Sequence, residues 1–267
     1  MKIFFTMMTL ILFVAEAQAE SSVPAKNIVI VHGAFADGSG WERVYRILAK
    51  KGYNVTIVQN PLVSLDADVT ATKNVLADLA NPVNPHYGPV VLVGHSYGGA
   101  VITQAGDDPN VKALVYVAAY VPSERESVGD LLQKDALLRK ADPSIPTPPI
   151  LIDDSKGIAL LDRVQFRDAF AADVGKKKAE FMAASQAPLG LQAVGTRVTT
   201  AAWRTKTSYY IVSSEDHMIP PANERTMAKM ATKANPALQY EFKASHAVYI
   251  SHADDVANVI VTAATSK

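Results

Sequence analysis

The sequence predicts an α/β protein on a mainly parallel sheet of about six strands flanked by helices, with a helical lid insertion. Three observations carry this. Short β-branched apolar runs alternate with helix-like stretches through most of the 267 residues, which is the pattern of a parallel sheet with helices on both faces. The alternation breaks once, over about residues 122–204, where helix-like segments surround a proline-rich loop. Finally, a serine between glycines, Gly94-His95-Ser96-Tyr97-Gly98, joins one apolar run to the helix after it.

The elements follow in order. Asn27-Ile28-Val29-Ile30-Val31 reads as a first strand, running into His32-Gly33-Ala34-Phe35 and the loop Ala36-Asp37-Gly38-Ser39-Gly40-Trp41. A helix from about Trp41 to Lys51 stops at Gly52; a strand at Asn54–Val58 and a helix near Asp66–Ala80 come next. Pro89-Val90-Val91-Leu92-Val93 is a buried strand, and Gly99–Ala105 is the helix after the serine turn. Val111–Val117, Thr207–Val212 and Leu238–Phe242 bring the count to six strands. Within the insertion, helices are expected near 128–139, 164–172 and 176–187, around the loop Pro143–Pro149. Inserted on the face that bears the serine, this segment reads as a small helical lid. Phe166, Phe170, Phe181, Met182 and Trp203 either line a pocket beneath it or pack it onto the core.

The first 19 residues have the form of a signal peptide. Lys2 precedes the apolar stretch Ile3–Val14, and Ala17-Gln18-Ala19 is a small-residue cleavage site. The stretch is shorter than the roughly 20 residues a membrane span needs. The mature chain is therefore expected to begin at Glu20, periplasmic or secreted, as one domain over 20–267 with no membrane attachment. The full sequence balances 26 basic against 26 acidic residues, and removal of Lys2 and Glu16 keeps the balance, giving no electrostatic reason to expect nucleic acid or an anionic membrane as partner. There is no cysteine, which excludes disulfides, thiolate metal sites and a cysteine nucleophile. None of the six histidines has the spacing of a metal site such as H-E-x-x-H, so no metal and no cofactor is expected.

What remains is nucleophilic chemistry. The strand–turn–helix around Ser96 pushes its hydroxyl out at the carboxyl end of the sheet, near the positive end of a helix dipole. A hydroxyl needs a base, and the base needs a carboxylate to fix its tautomer. In this topology the order is serine, acid, histidine, each just past a strand end. His246, after Leu238–Phe242, is the expected base, with His217 the lesser alternative. Asp216, after Thr207–Val212, is the expected acid; Glu215 and Glu124 are the alternatives. The N–H groups of Tyr97 and Ala34, with Phe35 the second choice in that loop, are the expected oxyanion donors. His32 should brace the oxyanion loop, His95 should pack at the serine turn, and His86 and His252 should be surface or helix-cap residues.

His32-Gly33-Ala34, Trp41, Gly94-His95-Ser96-Tyr97-Gly98-Gly99, Glu215-Asp216 with Pro220-Pro221, and Ser245-His246 together resemble the α/β-hydrolases. Within these, the chain is similar to the small esterase branch that includes plant methylesterases and hydroxynitrile lyases. The resemblance spans about residues 27–265 and implies a serine hydrolase of small carboxylic esters. It leaves three other readings: carbon–carbon lyase, cofactor-free haloperoxidase or perhydrolase, and non-catalytic ligand receptor. The related lyases have threonine in the oxyanion turn and lysine after the histidine, where this chain has Gly33 and Ala247. The haloperoxidases usually have methionine where Tyr97 stands.

Overall fold

Six parallel strands, β1 (Asn27–Val31), β2 (Asn54–Val58), β3 (Val90–Ser96), β4 (Val111–Ala119), β8 (Thr207–Ser213) and β9 (Gln239–Phe242), form the central sheet of a computed structural model that describes residues 23–266. The signal-peptide segment lies outside the described residues. Strand order is β2-β1-β3-β4-β8-β9, all pairs parallel. The four inner strands are almost wholly buried, which is why they read as continuous Val/Ile/Leu runs rather than alternating ones. Helices α1 (Glu42–Lys50), α2 (Leu65–Leu79), α3 (Gly98–Ala105), α8 (Pro221–Ala231) and α10 (Ala253–Thr265) cover the sheet, with the short α9 (Val248–Ser251) leading into α10. The chain goes from β1 outward to β2, then crosses back to β3 on the other side of β1. That reversal opens a crevice at the carboxyl ends of β1 and β3.

Between β4 and β8 lies the insertion, with α4 (Val128–Ala141), α5 (Phe166–Phe170), α6 (Lys176–Ser185) and α7 (Leu191–Gly195). It is not purely helical, which corrects the expectation. A three-stranded antiparallel sheet, β5 (Ile150–Asp153), β6 (Ile158–Leu161) and β7 (Leu189–Gly190), runs through it. The β5–β6 turn is closed by the Asp153 carboxylate, which accepts from Ser155 and Lys156, and by Gly157 at φ 64°. Apolar runs this short have too few residues to show a period. The helix expected near 164–172 contracts to five residues, preceded by a turn in which the Asp162 carboxylate accepts the Val164 and Gln165 N–H groups. Phe166 and Phe170 pack the lid onto the core, Trp203 donates its indole N–H to the Pro122 carbonyl, and Phe181 faces solvent.

One buried acid ties the lid to the core. Asp135 of α4 accepts from the Tyr120 hydroxyl at 2.9 Å and from the Asn223 amide of α8. Burial pushes its carboxyl up to about 6. A folded-state value above the unfolded one means the folded chain holds the extra proton between about pH 4 and 6, so stability falls as pH rises through that window. Asp135→Asn should remove that slope, worth up to about 3 kcal/mol. Chemical denaturation at pH 4 and pH 6.5 checks this; an unchanged slope in the variant would contradict it.

Candidate active site

The turn after β3 sets the geometry. Ser96 has φ 55°, a left-handed conformation that costs a non-glycine residue of order 1–3 kcal/mol and is retained where the surroundings enforce it. Here the enforcement is close packing: a Cβ at Gly98 would lie 2.5 Å from the Val31 carbonyl oxygen, so only glycine lets α3 start this close to β1. Ser96 is only 7% exposed, so the hydroxyl expected to project outward lies in a covered crevice.

Ser96 Oγ is 2.8 Å from His246 Nε2, and His246 Nδ1 is 2.5 Å from Asp216 Oδ2. The other Asp216 oxygen accepts the N–H groups of Met218 at 2.6 Å and Ile219 at 2.9 Å. These backbone donors hold the carboxylate plane facing the ring. All three side chains are buried. Neighbouring Glu215 turns outward, half-exposed, with Lys243 at 3.5 Å. Glu124 is exposed, and His217 donates from Nδ1 to the Asp168 carbonyl at 2.8 Å. Of the sequence candidates, the structure therefore brings together Ser96, His246 and Asp216, and leaves Glu215, Glu124 and His217 outside.

The turn His32-Gly33-Ala34 lies against the serine: a Cβ at Gly33 would come within 2.7 Å of Ser96 Cβ. His32 braces it, donating from Nδ1 to the Gly33 carbonyl at 2.9 Å while Nε2 accepts the Asn60 N–H at 3.0 Å. Burial lowers the His32 pKa, consistent with this neutral tautomer. Among the described residues, neither the Ala34 N–H nor the Tyr97 N–H donates to a loop, cap or side-chain acceptor. His95 donates from Nε2 to the His246 carbonyl at 2.9 Å; burial first, then nearby His246, hold its pKa well below the ordinary value.

Sequence reasoning missed three supports. The Tyr97 hydroxyl donates to Asp68 Oδ2 at 2.7 Å, and Asp68 Oδ1 accepts the Leu62 N–H at 2.7 Å, anchoring the residue after the serine. Asp173 of the lid accepts from the Ser245 hydroxyl and N–H, and the Phe170 carbonyl accepts the Ala247 N–H at 3.0 Å, gripping both neighbours of His246. Phe170 also stands edge-on to the His246 ring, centroids 4.8 Å apart. Glu224, wholly buried, is the third. A groove of about 630 Å³, lined by Ile145, Pro146, Asp173, Glu215, His217 and Ser245 among others, opens on the outer side of the Asp216 loop rather than over Ser96. Among the described residues no cluster of His, Asp or Glu has the arrangement of a metal site, and no helix is long and apolar enough to cross a membrane.

Comparisons with known proteins agree with this architecture. The carbendazim hydrolyzing esterase of Nocardioides sp. (strain SG-4G) is 35% identical over 115 residues, 40% of this chain and 48% of that protein. Putative methylesterase 11, chloroplastic, of Arabidopsis thaliana is 27% identical over 248 residues, 84% of this chain and 60% of its own. The chain thus spans about half the length of these two relatives. Both relatives are named as esterases. An extracellular alpha/beta-hydrolase from a Paenibacillus species superposes with TM-score 0.70 at 19% identity, covering 89% of this chain and 98% of that one, and so shares the fold. Residues 28–259 match the sequence profile of the alpha/beta hydrolase family, and with that span matched the chain belongs to this family.

Proposed function

We propose that the chain is a serine esterase that cleaves carboxylic esters of small substrates through an acyl-enzyme. The observation that supports this most is the continuous hydrogen-bonded line from Ser96 Oγ through His246 to Asp216, closed by two backbone donors. Ser96 Oγ attacks the ester carbonyl as His246 Nε2 takes its proton, and the carbonyl oxygen becomes an oxyanion held by the Ala34 and Tyr97 N–H groups. Collapse expels the alcohol, which receives the proton from His246. Water then repeats the sequence against the acyl group, releasing the acid and restoring Ser96. Asp216 keeps Nδ1 protonated and stabilises the imidazolium. No cofactor takes part.

The carbon–carbon lyase reading has less support. The Gly33 position has no room for a side chain beside Ser96, and Ala247 is buried under the lid, where a lysine ammonium would be desolvated. Export is part of the proposal, resting on the signal-peptide form of residues 1–19; N-terminal sequencing of the exported protein should give Glu20. The substrate class is tested with p-nitrophenyl esters of graded acyl length. Acetate and butyrate should be turned over well and long-chain esters poorly. Failure on every ester would overturn the esterase reading in favour of a receptor on the same scaffold.

A further inference from the structure

Behind Asp216 stands a second carboxyl group that the mechanism above does not use. Helix α8 presents Glu224, Met227, Ala228 and Ala231 on its buried face, so an acid occupies a position where an apolar residue is the rule. Glu224 is 0% exposed. Its Oε2 accepts the Ser213 N–H at 3.0 Å, while no group among the described residues donates to Oε1. Asp216 is tied to the same residue, its N–H donating to the Ser213 carbonyl at 3.2 Å, so the two carboxyl groups are neighbours across Ser213. Two ionised carboxylates in a dry contact repel, and a single proton between them removes the repulsion and gives the orphan oxygen a partner. The proton is better placed on Glu224, since Met218, Ile219 and His246 all donate to Asp216, whereas Glu224 has only the Ser213 N–H.

We propose that Glu224 is a protonated positioning residue whose carboxyl O–H donates to Asp216, fixing that carboxylate from behind and setting the basicity of His246. The proposal rests on the esterase reading of Ser96, His246 and Asp216. Burial and the Asp216 charge both push the Glu224 carboxyl well above the ordinary range. The other groups that face it are Tyr210 of β8, whose hydroxyl donates to the Ala119 carbonyl at 2.6 Å, and Arg225 of α8, whose guanidinium is turned to Glu241. Neither takes the proton's place. A donor that withdraws charge from Asp216 weakens its hold on the imidazolium, so removing the donor should strengthen that hold.

The test compares Glu224→Gln, which offers Asp216 an amide N–H and keeps an acceptor for Ser213, with Glu224→Met, which offers neither. On p-nitrophenyl acetate, Glu224→Gln should stay within about threefold of wild type, and Glu224→Met should lose about tenfold or more. The acid limb of kcat/KM should move up by about one pH unit in Glu224→Met and stay in place in Glu224→Gln. A merely structural role would lower kcat/KM without moving the limb, and equal damage in both variants would overturn the proposal. Two readouts need no turnover. The His246 ring, titrated by NMR, should show the same shift. Infrared difference spectra of wild type against Glu224→Gln at neutral pH should contain the carbonyl stretch of a buried protonated carboxylic acid. If that band is missing, Glu224 is ionised and the proposal fails, whether or not the Met variant folds. If the band is present and no ester is cleaved, the esterase reading fails instead.

Discussion

Ser96→Ala should lower ester turnover by roughly a millionfold, because removing a nucleophile that works as one unit with its base costs as much as removing the unit. Stability should change little. Alanine occupies the same φ 55° backbone with no added bulk, and the lost contact is one hydrogen bond to His246, worth about 1 kcal/mol. Circular dichroism and thermal melting separate the two outcomes. Activity within about tenfold of wild type would remove Ser96 from the mechanism.

Asp216→Asn is expected to cost up to roughly ten-thousandfold in kcat, with binding less affected. The backbone donors at Met218 and Ile219 require an oxygen on their side, so the asparagine amide would turn its NH₂ toward His246. That arrangement makes Nδ1 an acceptor and leaves the proton on Nε2, pointing at the hydroxyl it should deprotonate. Glu215→Gln should change activity by less than about threefold, since an exposed ion pair such as that with Lys243 contributes at most about 1 kcal/mol. Should Glu215→Gln prove the more damaging, the acid would be misassigned by one residue.

The order of strands and helices was legible because the inner strands are buried on both faces, leaving uninterrupted apolar runs between polar connections. The site was legible for a related reason. Ser96, Asp216 and His246 each follow such a run, and parallel strands put all their carboxyl ends on one edge. The lid resisted reading, since β5 and β6 are four residues each and β7 two. The burial of Ser96 could not be read from the turn alone. Three buried acids were overlooked together, although a common signal was present. Asp68 falls in helical register with Leu65, Val69, Thr72 and Leu76; Asp135 with Val128 and Leu131; Glu224 with Met227, Ala228 and Ala231. An acid on an apolar helix stripe has to be paired or protonated when buried. Two of these groups meet tyrosine hydroxyls, Tyr97 and Tyr120, and Glu224 lies beside Asp216.

Covalent trapping tests the central claim most directly. Diethyl p-nitrophenyl phosphate is attacked at phosphorus by an activated serine, expelling p-nitrophenolate and leaving a stable diethylphosphoryl ester. The account predicts release of one p-nitrophenolate per chain, with peptide mass spectrometry placing the adduct on Ser96. Labelling should vanish in Ser96→Ala and slow sharply in Asp216→Asn. A folded wild-type chain that takes up no label, or takes it up at another residue, would contradict the assignment of Ser96 as nucleophile.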